Sequence, residues 1–318
     1  MEESKKYNCI IILGPTAVGK TGLGVRLARE LGGEIISADS RQVYRGLDLG
    51  SGKDLADYGD LPYHLIDVAT LETEYNVYNY QQDFYRVFSA LQSRGVLPVI
   101  VGGTGMYIDA IVRGYDFIEV EENKELRAKA EKMTLEELDS WLLALKPNLH
   151  NKSDLLIRER VIRAIEIAEF MKSPECEEKR KSFPKRPDVK PFIVGTTLER
   201  TELRANIAKR LRERIEEGMI EEVRNLHEKD GFSYERLEKL GLEYRFVSEF
   251  LEGKIESEEV MFTKLNTAIG QFAKRQETWF RGMQKKGADD IHWLPSVSDV
   301  NERYKSLLEL TKSFRLKH

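Results

Sequence analysis

The eight residues Gly14-Pro15-Thr16-Ala17-Val18-Gly19-Lys20-Thr21 satisfy the spacing G-x-x-x-x-G-K-[ST], whose chemistry is the grip of a phosphate chain. The glycines let backbone N–H groups turn inward around phosphate oxygens, Lys20 adds a point charge, and Thr21 can hold a magnesium ion from the first helical turn. A glycine-rich turn that binds nothing has a similar composition, so context decides. Here an apolar run, YNCIIIL (7–13), precedes the motif and TGLGVRLAREL (21–31) follows it with helical periodicity, which is the strand, loop and helix the motif requires. Two further loops offer reactive groups. Glu34 to Ala38 reads as a short buried strand that delivers Asp39, Ser40, Arg41 and Gln42, and VLPVIVGGTGMY (96–107) is a strand ending in Gly102-Gly103-Thr104. Ligands of doubly wound α/β sheets bind at that end of the strands. A phosphate-loop hydrolase delivers a magnesium-completing Asp from such a later strand. The hydroxyl and bare backbone found instead argue against NTP hydrolysis, although the loop is of the ATP-binding kind. Asp67, ending HLID (64–67), is a magnesium-supporting carboxylate or a turn residue.

The elements that must position these groups follow from periodicity. Strand and helix alternate up to a helix over 105–113, and the aromatic residues of YNVYNYQQDFYRVFSALQSRG fall at the spacing of a core-facing helix. Residues 116–189 then read as polar amphipathic helices ending in the Pro-containing stretch SFPKRPDVK, after which KPFIVGTTL returns to strand character. The expected fold is therefore α/β, a P-loop NTPase-like parallel sheet flanked by helices, with an inserted all-helical domain. Its core spans 1–115 and 190–318, and the insertion spans 116–189. Beyond it, one long helix is expected over 201–228, an interrupted helix over 236–251, a helix over 258–281, a short strand at IHWLP and a peripheral helix from 298.

Composition narrows the partners. With 33% charged and 41% apolar residues the chain is of soluble globular type. Its start, MEESKKYN, has no signal-like apolar stretch, and no run approaches the roughly 18 apolar residues of a membrane span. A cytoplasmic monomer without membrane contact is the expectation. Two cysteines, Cys9 and Cys176, exclude a disulfide framework and a zinc-ligand cluster. The net charge of −4 speaks weakly against nucleic acid, but residues 179–190 and 264–286 each carry six Lys or Arg against one acid. Such runs are commonly solvated faces; two of them, the second interleaved with Phe272, Trp279 and Phe280, point to a phosphate-backbone partner. Arg160 and Arg163, three apart on one helix face, fit a phosphate clamp and a solvated face equally well.

Three readings fit these residues: a small-molecule kinase with Asp39 as base, a transferase acting on nucleic acid with diphosphate as leaving group, and a nucleotide-dependent binding module. The basic footprint favours the second over the first. Taken together, GPTAVGKT, ISADSRQVYRGLDLGSGK, HLID, VIVGGTGMYIDA, RVIRAIE and KRQETWFR, in this order over residues 8–294, resemble the tRNA dimethylallyltransferase (isopentenyltransferase) family. The resemblance implies transfer of a dimethylallyl group from dimethylallyl diphosphate to the exocyclic amine of the adenosine 3′ of the tRNA anticodon, with magnesium. It further implies that the phosphate loop holds the substrate diphosphate, that Asp39 to Gln42 receive a flipped adenine and that Asp39 takes the amine proton. Thr104 is similar to the family's reaction-centre threonine and Arg210 to its diphosphate-binding arginine. Segments 159–163, with Arg160 and Arg163, 240–245, with Tyr244 and Arg245, and 269–276, with Lys274 and Arg275, match stretches that touch tRNA. Where many members have G-Y-[KR], this chain has Gly241-Leu242-Glu243-Tyr244-Arg245. It lacks the C-terminal zinc finger of eukaryotic relatives, which implies a bacterial type.

Overall fold

The computed structural model describes residues 7–147, 157–181, 186–285 and 290–312. The middle of the first basic run, the last residue of the second, and residues 148–156 of the expected helical insertion lie outside the described residues. Strand β1 (Cys9–Leu13) runs through the glycine-rich loop into α1 (Lys20–Leu31), followed by β2 (Gly33–Ala38), β3 (Tyr63–His64), α2 (Val77–Ser93), β4 (Leu97–Gly102) and α3 (Gly105–Arg113). Helices α4 (Lys124–Glu131), α5 (Leu135–Leu145), α6 (Arg158–Phe170) and α7 (Pro174–Lys181) come next. The chain then continues as β5 (Pro191–Gly195), α8 (Arg200–Glu216), α9 (Met219–Glu228), α10 (Tyr234–Glu238), α11 (Leu242–Leu251), α12 (Glu258–Lys285), β6 (Ile291–Trp293) and α13 (Val300–Leu310).

Two compact units result, Met1–Tyr115 with Pro187–His318, and Asp116–Arg186. The first is built on a six-stranded parallel sheet of order β3-β2-β4-β1-β5-β6. Strands β1, β2 and β5 are buried at every position, as parallel strands covered on both faces must be. Alternation divides their side chains between two layers. Ile10, Ile12, Ile35, Val99 and Val101 meet Leu23, Leu27 and Leu31 of α1 and Leu307 of α13, whereas Cys9, Ile11, Leu13, Ile36 and Ile100 meet Tyr80, Phe84 and Phe88 of α2, Ile108 of α3 and Phe280 of α12. The aromatics of α2 are thus core packing. A third core joins α8, α9, α11 and α12 to Val43, Tyr44 and Leu47 of the loop after β2. The second unit encloses a small core of Leu126, Ala130, Leu138, Leu142, Val161 and Ile165.

Register matters most for the site. Leu13 is level with Gly102 and Gly195, and Gly102 with Ala38, so the loops that follow β2, β4 and β1 leave three adjacent strands side by side. Two expectations, for the helix over 201–228 and for the last helix, need correction. The helix over 201–228 is two helices, because Gly218 adopts φ 106° between α8 and α9, a conformation that L side chains rarely take. Strand β3 ends at His64: the N–H groups of Asp67 and Val68 turn to the Gln42 and Val43 carbonyls at 3.0 and 2.8 Å. The last helix is not peripheral, since Tyr304 and Leu307 of α13 are buried against the sheet layer.

Candidate active site

The glycine-rich loop owes its shape to its own backbone and to α12. Ala17 holds φ 59°, a left-handed conformation uncommon outside glycine, and Gly19, the N-cap of α1, has no side chain to cap the first-turn N–H groups. Lys20 Nζ donates to Pro15 O at 3.0 Å, inside the loop. Thr16 N donates to Gln276 Oε1 at 2.9 Å, and Gln276 Nε2 donates to Gly103 O at 2.8 Å, so a single α12 amide ties the loop after β1 to the loop after β4. A Cβ on Gly103 would lie 2.6 Å from Gln276 Nε2 and 3.2 Å from Gly14 O, so a side chain there would displace the bridging amide.

Asp39 and Thr104 stand on the neighbouring strand ends. Asp39 Oδ1 accepts from Arg41 N at 2.9 Å and from Gln42 N at 3.5 Å, which fixes the carboxylate as an Asx turn; among the described residues Oδ2 takes no hydrogen bond. Thr104 Oγ1 accepts from Ser40 N at 3.0 Å and lies 3.4 Å from Ser40 Oγ. Gln42 is 8% exposed, accepting from Ser37 Oγ and donating to Gly52 O, both at 2.9 Å, so its amide is spent on holding the loop. Lys53 is buried in the same loop, with Nζ on Tyr44 O at 2.8 Å, on Asp48 Oδ1 at 2.7 Å and on Asp67. Asp67 is accordingly the counter-charge of Lys53, not a magnesium-supporting group. Glu222 of α9 closes the loop from outside, accepting from the N–H groups of Asp48, Leu49 and Gly50 and from the Tyr244 hydroxyl at 2.8 Å. Tyr244 is 1% exposed, and a surface contact to RNA is not open to it in this arrangement.

These loops and α8, α11 and α12 line a cleft of about 580 Å³. Thr16, Lys20, Thr21, Asp39 to Gln42, Thr104, Arg210, Arg245 and Arg275 all reach its wall. Lys274 does not; it is exposed elsewhere on α12. Seven Lys or Arg and three carboxylates line the cleft, so an anion suits it although the whole chain carries −4. Arg210 donates to Gly52 O at 3.5 Å and pairs with Asp54, which Arg214 approaches at 3.7 Å. Burial, and then the neighbouring Arg210, pulls the Arg214 guanidinium below its usual range. Burial pushes the Glu243 carboxyl up against the pull of Arg214. Met106, Phe272 and Trp279, about two-fifths exposed, add an apolar wall. Gln276 and Trp279 stand in KRQETWFR, Met106 in VIVGGTGMYIDA and Glu243 in the stretch from Gly241 to Arg245, but nothing in those stretches says that these side chains line the cleft; Arg214 lies in none of them, and its one signal is its place in a charged helical run.

Thr21 and Asp39 share the cleft wall, and among the described residues no group of three or more His, Cys, Asp or Glu could hold a metal. A hard cation would therefore lean on one or two protein oxygens and on phosphate oxygens, which is how magnesium is usually held. In the second unit, Arg163 donates to Glu166 Oε2 at 2.9 Å and to Val120 O at 2.6 Å. Arg160, one turn earlier on α6, is also engaged.

A family model described as IPP transferase matches residues 42–283, and another, Isopentenyl transferase, matches 7–58. The chain is 53% identical over 292 residues to tRNA dimethylallyltransferase 2 of Treponema denticola, covering 92% of this chain and 97% of that one. To tRNA dimethylallyltransferase 1 of Geotalea uraniireducens it is 51% identical over 303 residues, covering 95% and 97%. Among solved structures, the full-length tRNA isopentenylpyrophosphate transferase of Bacillus halodurans aligns over 98% of this chain and 100% of its own, with TM-score 0.67 and 29% identity. A eukaryotic dimethylallyltransferase captured acting on tRNA aligns over 98% and 86% with TM-score 0.74 and 19% identity, a likeness of fold. A parallel sheet that sets a phosphate loop beside a carboxylate, matched along nearly its whole length by such relatives, makes this chain a member of the tRNA isopentenyltransferase family of transferases.

Proposed function

We propose that the chain moves a dimethylallyl group from dimethylallyl diphosphate to N6 of the adenosine 3′-adjacent to the tRNA anticodon and releases diphosphate. The observation that carries this reading is the meeting of an anion cradle, a carboxylate with a free oxygen and an apolar wall in one cleft. An adenine amine is a weak nucleophile because its lone pair is delocalised into the ring, so departure of the leaving group must drive the reaction. N6 bonds to C1 of the allyl group as the C1–O bond breaks, and the bond electrons leave on diphosphate. Backbone N–H groups from Ala17 to Thr21, Lys20 and Arg210 meet the charge that grows there, and one such donor is worth about 3 kcal/mol. Asp39 accepts the proton that N6 releases, and Thr104 holds the Ser40 end of its loop. Magnesium at Thr21, when bound, would add charge stabilisation on the diphosphate oxygens. Met106, Phe272 and Trp279 shelter the allyl group from water, while Arg41, Arg245, Arg275 and, beyond the cleft, Lys274, Arg160 and Arg163 bind the tRNA.

Among the described residues no helix is long and apolar enough to cross a membrane. Labelled dimethylallyl diphosphate and an anticodon stem-loop RNA test the assignment, with ATP and small acceptors run in parallel. Prenylated RNA is expected, whereas a phosphorylated acceptor would replace the reading by a kinase. Asp39→Ala is expected to lower kcat by about 10² to 10⁴ and to leave RNA affinity within several-fold. Undiminished turnover in that variant removes Asp39 as the base.

A further inference from the structure

Helix α13 carries a charge that the chemistry above does not use. Arg303 is 3% exposed, and its Nη1 donates to Val18 O at 2.6 Å and lies 3.4 Å from Thr196 Oγ1, although 285 residues separate it from Val18. Its Nη2 is 3.8 Å from where a Cβ on Gly19 would stand, and its Nε has no partner. Arg303 is absent from the cleft wall, so the guanidinium touches the loop from outside. The Val18 carbonyl belongs to the same planar trans peptide as the Gly19 N–H, and the two point in opposite directions. Holding that carbonyl on a buried cation aims the Gly19 N–H away from Arg303, and a charge-assisted hydrogen bond is stronger than a neutral one. The loop has strain to hold at Ala17, whose φ of 59° is uncommon outside glycine. Helix α13 has anchors besides Arg303: Tyr304 donates to Arg26 O at 3.1 Å, Arg26 lies 3.9 Å above the Tyr304 ring, and Arg26 donates to Asn301 Oδ1 at 3.1 Å.

We infer that Arg303 is a positioning residue for the diphosphate loop, presenting the Gly19 N–H to the anion by gripping the carbonyl of the same peptide. The inference rests on the reading that this loop binds diphosphate.

Inorganic pyrophosphate is the probe, measured by calorimetry and as an inhibitor against dimethylallyl diphosphate. Arg303→Met is expected to weaken pyrophosphate about tenfold and to raise KM for dimethylallyl diphosphate, with KM for the stem-loop RNA within about twofold. Arg303→Lys, which keeps charge and a donor, should recover part of the loss; if the Met variant does not fold, the Lys variant is read against wild type for a smaller weakening of the same sign. Asn301→Ala, which loosens α13 on α1, should lower the melting temperature without moving pyrophosphate affinity. Unchanged pyrophosphate affinity in the folded Arg303 variants overturns the inference, as does an equal loss in Asn301→Ala. Wild-type protein that fails to bind pyrophosphate defeats the diphosphate reading itself, and is seen before any substitution is made.

Discussion

If the loop holds diphosphate as proposed, Lys20 sets the pH range over which it does so. Burial lowers its ammonium to about 8, with Asp39 opposing and Arg210 adding to the fall. Below that value the charged form predominates; above it the neutral amine does, and the attraction for diphosphate is lost. KM for dimethylallyl diphosphate is therefore expected to climb as pH passes about 8, and Lys20→Arg, which stays charged, should remove the climb even where its kcat is lower. A wild-type KM that is flat from about pH 7 to 9.5 would contradict this. Residue by residue, the structure also separates groups that touch the cleft from groups that hold it. Asp39 keeps one carboxylate oxygen without a hydrogen bond among the described residues, whereas Gln42 and Lys53 spend polar atoms on the loop over 40–54 and Tyr244 spends its hydroxyl on Glu222, which grips that loop.

At the scale of elements, α12 does two jobs on different faces. Phe272, Arg275, Gln276 and Trp279 reach the cleft, while Lys274 faces elsewhere. Both cations are proposed RNA contacts, so Lys274→Ala with Arg275→Ala should reduce the slope of log affinity against log salt by roughly 1.5 for two phosphate contacts. A salt slope equal to wild type would make this stretch a solvated face. Gln276 is the same helix's structural contribution, bridging two loops that begin 260 and 173 residues away. The break between α8 and α9 serves the site too. It lets Arg210 and Arg214 approach the loop at Gly52 and Asp54 from one helix while Glu222 grips the same loop from the other.

Over the whole molecule, the two units have unequal cores, and separate melting is the expectation. The unit over Asp116–Arg186 has a small core built around a charged centre: the Glu166 side chain is 0% exposed and meets Arg127 at 2.7 Å, Arg163 at 2.9 Å and Asn123 N at 3.0 Å. Burial opposes ionisation of Glu166, but those hydrogen bonds outweigh it and hold its carboxyl below the usual 4.5. A depressed carboxyl contributes stability above its unfolded value and loses that contribution as pH falls through the folded one. Acid, and Glu166→Gln at neutral pH, should therefore destabilise this unit first, the substitution by about 2 kcal/mol once the partly exposed arginines are discounted. Calorimetry of wild type and variant checks it. A single transition that shifts as one would show that the units do not melt separately.

The sequence by itself determined what is local: the phosphate loop with its strand and helix, the strand ends carrying Asp39 and Thr104, the helical character of the insertion and the order of blocks that resembles the family. Each of these is written in a few neighbouring residues or in a period of 2 or 3.6. Only the tertiary structure decided which polar groups face the cleft, because that depends on contacts between distant segments. Gln276 and Arg303 hold the loop from the far end of the chain, Lys53 takes Asp67 out of the site, and Glu222 takes Tyr244 into the core. A hydrogen bond spanning 285 residues leaves no periodic or spaced pattern in the chain, since its partners are brought together by the register of the sheet and the packing of helices on it.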